Sequence, residues 1–278
     1  KSDLYLFDDN QNLIIDKNIK KKIIDYQDVK IKKFDHIIIS PGIDVKRCIL
    51  KSYLNKNLKI IKTDLDIFYS FYKTNKNITI TGTNGKSTTA KILHNVLKDQ
   101  KFDTRLVGNI GNPILLQKNI SKKTIFIVEA SSYQLEYSKL FKSNFAVILN
   151  ISPDHLERHG NLRNYIKSKF KIIKNQSNKD VAFLNTKNRY IKKGIRENKV
   201  LSNIIRIDKN ISTNVLNKIN NPYFFTEGNK ENLLTVIEVL KKFNIKKNKI
   251  FKFLKNFKGL KYRQQIIYKS KKLTIIND

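Results

Sequence analysis

Four groups of residues in this chain have the types and spacing to do chemistry. Gly82-Thr-Asn-Gly-Lys-Ser-Thr88 packs two glycines, an amine and hydroxyls into seven positions. A glycine turn that opens a helix aims free backbone N–H groups and the positive end of the helix dipole at one point, which favours phosphate. Lys86 adds a full positive charge, and Ser87 a hydroxyl suited to a phosphate-bound Mg²⁺. The longer pattern Gly-x-x-x-x-Gly-Lys-Ser would need glycine at position 80, where the chain has Ile80, so the reading is a shortened phosphate loop, Gly-x-x-Gly-Lys-Ser. The competing account is a turn that merely joins a strand to a helix. Glu129 follows the apolar run Thr124-Ile-Phe-Ile-Val128, where a carboxylate at a strand end either holds Mg²⁺ or is simply solvated. Asp154-His-Leu-Glu-Arg-His159 sets two histidines, two acids and an arginine in six residues after the apolar Ala146–Leu149. Lys169 falls on the stripe made by Leu162, Tyr165, Ile166, Phe170 and Ile173. An amine held against an apolar face has its pKa lowered and becomes available for chemistry, unless it snorkels from the stripe's edge.

Strand, turn and helix must position these groups. Ile78 and Ile80 alternate with polar residues as in a strand, and Ala90, Leu93, Val96 and Leu97 recur at helical spacing after the glycines. Leu4–Phe7, Ile37–Ile39, Ala146–Leu149, Val181–Leu184 and Ile204–Ile207 read as further strands, the second ending in the tight turn Ser40-Pro-Gly42. Gly108-Asn-Ile-Gly-Asn-Pro113 must be a shaped loop. A helix is expected from about Asn229 to Lys241, and a hairpin over 264–278. The alternation of strand and helix predicts an α/β fold with a mostly parallel sheet. The lysine-rich stretch around 73–77 sets the first domain boundary and Gly259-Leu-Lys-Tyr-Arg263, which interrupts the pattern, the second, giving 1–75, 76–257 and 258–278.

The 278 residues allow about two domains and a sizeable core. No apolar run approaches 18 residues, so no membrane span or membrane partner is expected. The single cysteine, Cys48, allows no internal disulfide and suits a cytoplasmic location. A net charge of +33 suggests polyanions, but the lysines are spread along the whole chain, arginine is scarce and no nucleic-acid motif is present. No specific nucleic-acid partner is therefore expected. The lack of methionine and the strand-like ending Leu273–Asp278 lead us to expect a piece of a longer protein, with a glycine-rich turn before Lys1 and a Ser-Lys pair after Asp278.

With Gly82–Thr88, Glu129-Ala-Ser-Ser-Tyr-Gln-Leu135, Asn150-Ile-Ser-Pro-Asp-His-Leu-Glu-Arg-His159 and Tyr165-Ile-Lys-Ser-Lys169 in this order, the chain resembles the Mur ligases. The first motif is shared with folylpolyglutamate synthase; Ser131–Leu135 and Asn109-Ile-Gly111 favour the branch that adds D-glutamate. The resemblance implies a P-loop ATPase domain preceded by a partial Rossmann-like domain, and an ATP-driven amide ligation of UDP-N-acetylmuramoyl-L-alanine with D-glutamate in peptidoglycan synthesis, by a monomer. In the implied reaction ATP would phosphorylate the alanyl carboxylate, and the amine of D-glutamate would then attack the acyl phosphate and expel phosphate. By similarity Gly82, Thr83, Asn84, Gly85, Lys86, Ser87 and Thr88 hold the phosphates, with Asn229, Arg263 and Asp278 as further ATP contacts. Ser87 and Glu129 would hold one Mg²⁺, and His155 with a carbamylated Lys169 a second; Lys86, His155 and Lys169 are the expected catalytic groups. Asn109, Ser131 and Gln134 would line the substrate side, and Gly42 would lie near the muramoyl end. Glu157 stands where the family usually has Asp, and Gly228 and Tyr262 replace common histidines. Sister amide ligases and a non-catalytic nucleotide-binding module are the alternatives.

Overall fold

Continuous apolar runs such as Ile125–Val128 and Ala146–Leu149 put apolar side chains on both faces of a sheet, and the computed structural model covers both with helices. The structure describes residues 3–10, 16–260, 263, 265–270 and 273–277. It divides into two units, Lys1–Asp64 and Leu65–Asp278. The first contains α1 (Lys17–Lys20), α2 (Tyr26–Ile31), β1 (Ile37–Ile38), α3 (Lys51–Lys56) and β2 (Ile61–Lys62). β1 and β2 pair in parallel, with Ile37 opposite Ile61. The strand expected over Leu4–Phe7 shrinks to one bridge, Leu6 to Ile23, with Leu4 and Tyr5 exposed and the Tyr5 ring edge-on to Phe34.

α4 (Asp64–Phe71) precedes the main sheet and turns Leu65 and Phe68 into its core. There follow β3 (Asn77–Thr81), α5 (Lys86–Asp99), β4 (Thr104–Gly108), β5 (Ile125–Glu129), α6 (Ser132–Tyr137), β6 (Phe145–Ile148), α7 (Leu156–His159) and α8 (Leu162–Lys174). The unit continues with β7 (Val181–Leu184), α9 (Arg189–Glu197), β8 (Asn203–Arg206), α10 (Thr213–Ile219), α11 (Glu227–Lys241) and α12 (Lys247–Lys255). β9 (Gln265–Lys269) and β10 (Thr274–Asn277) form the expected antiparallel hairpin. Among the described residues no helix is long and apolar enough to cross a membrane.

The six strands β3 to β8 form one parallel sheet in the order β4-β5-β3-β6-β7-β8. Alternation sorts the side chains: Ile78, Ile80, Ile125, Ile127 and Val147 join the core with α5, α11 and α12. Phe126, Val128, Ala146 and Ile148 join the opposite core with α4, α6 and α8. β3 leads through α5 toward β4 on one side, while its neighbour β6 leads through α8 toward β7 on the other. Adjacent strands whose connections leave in opposite directions open a crevice at their carboxyl ends, where α/β sheets bind ligands. The register sets Ile80 beside Glu129 and Thr81 beside Ile148, so the glycine turn, the acid and the histidine-rich segment all emerge at that edge.

Candidate active site

The turn between β3 and α5 is fixed by backbone and side-chain hydrogen bonds to the segment that follows β6. Asn150, just after β6, accepts from Thr83 N–H through its backbone carbonyl (3.0 Å) and from Asn84 N–H through Oδ1 (2.8 Å), while its Nδ2 donates to the Asn84 carbonyl (3.1 Å). Thr83 Oγ1 accepts from Ser152 N–H (3.1 Å) and meets the Tyr165 hydroxyl at 3.1 Å. Gly85 has φ +81°, which favours glycine, and a Cβ there would lie 2.3 Å from Asn232 Oδ1. This turn therefore needs glycine for its backbone and for space.

Lys86 Nζ donates to the carbonyls of Gly82 (3.0 Å) and Thr83 (2.8 Å). Burial lowers its pKa, opposed by Glu129 and Asp154 and reinforced by Arg263. Lys169 is 2% exposed, and its Nζ donates to the same Gly82 carbonyl at 2.8 Å while lying 4.6 Å from the centre of the Tyr165 ring. The stripe buries this amine instead of letting it snorkel. Burial and the neighbouring Lys86 pull its pKa down to about 7, against Asp154.

Glu129 is 1% exposed at the end of β5. Asn109 fixes it twice, donating its N–H to the Glu129 carbonyl (2.9 Å) and its Nδ2 to Oε1 (3.1 Å). Gly108 beside it has φ +101°, and a Cβ there would strike the Glu129 carbonyl oxygen at 2.2 Å. Oε2 is buried with no hydrogen-bond partner. A buried carboxylate oxygen left unpaired is costly, and a cation offsets that cost.

A cleft of about 600 Å³ is lined by the loop from Thr83 to Thr88 together with Asn109, Glu129, Asn229 and Arg263. Asn232 lines it too. Sequence reasoning assigned no role to Asn232 or Asn150; the first was legible as the residue three after Asn229 on one helix, the second only as the polar residue ending a core strand. Gly228 also lines the cleft, and a Cβ there would meet nothing within 4 Å, so the missing side chain leaves open space. Among the described residues no group of three or more His, Cys, Asp or Glu could hold a metal ion. The donor set fits Mg²⁺ held by one or two protein oxygens with phosphate and water, not an all-protein cage.

Other expected site residues lie outside the cleft lining. His155 has φ 52° at the start of α7, with its ring centred 5.1 Å from Tyr133 and 6.3 Å from Tyr165. Its Nε2 is 3.4 Å from Asp154 and its Nδ1 3.8 Å from the exposed Glu157. Through Tyr165 it adjoins Thr83. Ser131 and Gln134 close the capping box at the N-terminus of α6, Oε1 of Gln134 accepting from Ser131 N–H (3.1 Å) and Gln134 N–H donating to Ser131 Oγ (3.2 Å). Gly42 belongs to the first unit, in the turn after β1, and is exposed. Asp278 and Tyr262 lie outside the described residues.

Residues 80–256 match the Mur ligase middle domain. The chain belongs to the Mur ligase family. The UDP-N-acetylmuramoylalanine–D-glutamate ligase of Rickettsia bellii is 31% identical over 304 residues, covering 100% of this chain and 66% of that protein. The enzyme of the same description from Francisella tularensis is 33% identical over 250 residues, covering 89% and 58%. The chain thus spans about three-fifths to two-thirds of the length of the curated relatives it matches. Among solved Mur ligases, the UDP-N-acetylmuramate:L-alanyl-γ-D-glutamyl-meso-diaminopimelate ligase of Neisseria meningitides superposes with TM-score 0.61 at 14% identity, over 92% of this chain and 90% of that one. The MurF ligase of Thermotoga maritima, solved in complex with ADP, gives 0.58 at 14% identity, over 82% and 64%. These likenesses establish the expected α/β, P-loop ATPase-like fold of a Mur ligase.

Proposed function

We propose that the full-length protein is an ATP-dependent ligase that joins D-glutamate to UDP-N-acetylmuramoyl-L-alanine through an acyl phosphate, in the cytoplasm and as a monomer. The observation that carries the reading is the buried, unpaired Oε2 of Glu129 at the rim of a glycine turn that also presents Lys86. The relatives described as D-glutamate ligases supply the choice of substrate. The proposed domain limits are 1–75, 76–257 and 258–278.

A carboxylate must approach an already anionic γ-phosphate, so positive charge and positioning dominate the chemistry. In this reading the N–H groups from Gly82 to Thr88 and the amine of Lys86 hold the phosphates, and Asn229, Asn232 and Arg263 the rest of the nucleotide, with Asp278 as a further contact. Ser87 and Glu129 would hold one Mg²⁺, and His155 and a carbamylated Lys169 a second. Bound Mg²⁺ supplies charge neutralisation on the transferring phosphoryl group. Asn109 keeps Glu129 aimed. An amine pulled down to about 7 is about half neutral at pH 7, as attack on carbon dioxide requires, and a carbamate nitrogen keeps one N–H for the Gly82 carbonyl. Asn109, Ser131 and Gln134 would face the substrate, and Gly42 its muramoyl end.

The test is phosphate release by the full-length protein with ATP, Mg²⁺ and UDP-N-acetylmuramoyl-L-alanine. Release with D-glutamate, and none with L-glutamate or meso-diaminopimelate, is expected. Release only with another amino acid, or only with a folate as acceptor, assigns a sister ligase. Tight ATP binding with no release under any of these conditions overturns the ligase reading.

A further inference from the structure

Arginine is scarce in this chain, and most of its guanidinium groups are accounted for. Of eight arginines, Arg47, Arg105, Arg158 and Arg163 pair with Asp44, Asp103, Glu136 and Glu197. Arg189 donates to the Tyr190 hydroxyl (2.6 Å) and lies over its ring, and Arg263 lines the nucleotide cleft. The remaining two, Arg196 and Arg206, meet at one cavity of about 490 Å³, lined also by Thr186, Lys192, Ile195 and Asp208. Neither arginine, nor Lys192, has a carboxylate within 4.0 Å among the described residues.

The fold brings these groups together. Leu184 and Arg206 are paired in register at the carboxyl ends of β7 and β8, so Thr186 and Asp208 leave the sheet side by side. α9 connects the two strands, and Lys192, Ile195 and Arg196 fall on one of its faces at helical spacing. Thr186 is 8% exposed, and its hydroxyl oxygen is buried with no hydrogen-bond partner. The cavity shares no lining residue with the nucleotide cleft.

We propose that this cavity is a second anion site, taking a small molecule that carries one or two phosphate groups. Two guanidinium groups offer bidentate donors and Lys192 a third positive charge, the set that recognises phosphate oxygens. Asp208 accepts from a hydroxyl or amine on the same molecule, which separates this site from a bare patch of positive charge. Lysines elsewhere are spread evenly, so a general attraction for polyanions does not account for two unpaired arginines in one concavity.

Calorimetric titration of the full-length protein with inorganic pyrophosphate, and separately with orthophosphate, at low ionic strength tests the site. The nucleotide cleft binds these anions too, and K86Q weakens that contribution. We expect a saturable event with at least one anion that persists in K86Q and weakens roughly tenfold or more in R196Q and in R206Q. K193Q, which removes a charge from the same helix but outside the cavity, should leave it unchanged. All three positions are exposed, so folding is not at stake. The proposal falls if K86Q abolishes all saturable binding, or if K193Q weakens it as much as the arginine variants do. Loss in K86Q bears only on the second site, because the ligase reading rests on phosphate release.

Discussion

Replacing Lys169 by methionine should change how stability depends on pH, with a size set by the burial of the amine. A free lysine amine titrates at 10.5; burial, with Lys86 nearby, pulls this one down to about 7, against Asp154. Between those values the unfolded chain binds a proton that the folded chain does not, so the free energy of unfolding rises with pH. Below pH 7 both states are protonated and the fold bears the whole cost of a buried ammonium; above 10.5 neither is. Between pH 7 and pH 9 the wild type should gain about 2 kcal/mol from this group alone. Methionine fills the same space without titrating. The assay is guanidinium chloride unfolding of both proteins at pH 7, 8 and 9 in carbonate-free buffer. Subtracting one from the other cancels groups common to both; Tyr165, pushed up to about 12, loses stability only above pH 10 and lies outside the window. A difference that is flat or falls with pH would show that the amine reaches water, and the argument for its reactivity would fail. Adding bicarbonate at pH 8 should then stabilise the wild type and not the variant, since a ligand bound only by the folded state stabilises it.

Three further substitutions probe the parts of the site separately. Gly85→Ala forces a side chain into the left-handed region at a cost of about 1–2 kcal/mol and drives its Cβ onto Asn232; ATP affinity by calorimetry should fall by more than about tenfold, a loss of at least 1.4 kcal/mol. Glu129→Gln keeps the shape but removes the charge; phosphate release should drop on the order of 10²-fold and need more Mg²⁺ for half-maximal rate, whereas an unchanged Mg²⁺ requirement would remove Glu129 from the metal site. Asp66→Ala removes the acceptor for the Ser138 hydroxyl (2.9 Å) and for the N–H groups of Lys139 (2.9 Å), Leu140 (2.8 Å) and Phe141 (3.0 Å), none of which lines the cleft. Leaving these donors, buried at Ser138 and Phe141 and partly buried at Lys139 and Leu140, without Asp66 should cost more than about 3 kcal/mol in denaturant unfolding.

The sheet was legible because its strands are buried on both faces and read as continuous or alternating apolar runs, as at Ile125–Val128 and Ile78–Ile80. At Leu4–Phe7 the same signal gives only the single Leu6–Ile23 bridge, with Leu4 58% exposed: an apolar run of four residues does not by itself decide that a ladder forms. Glu129 and the glycine turn were readable from their positions at strand ends. Asn109's hold on Glu129 and Asn150's clamp on the loop were not, since each depends on a partner 20 or 66 residues away that only sheet order brings close. Gln134 and Ser131 carried a capping-box signature, Ser-x-x-Gln, that was equally visible and that the structure uses at the start of α6.

Lys169 shows why composition alone could not decide its character. Its place on an apolar stripe fits a snorkelling side chain as well as a buried one, and what separates the two is an acceptor waiting inside. That acceptor is the Gly82 carbonyl, which the glycine turn releases from the strand ladder and which also takes Lys86. Two amines on one carbonyl cannot both keep their protons cheaply, and Lys86 accordingly helps lower the pKa of Lys169. The reactivity of the second lysine is therefore a property of the phosphate loop as much as of the helix that carries it. A substitution that moves the Gly82 carbonyl should shift Lys169 even though it leaves every residue of α8 in place.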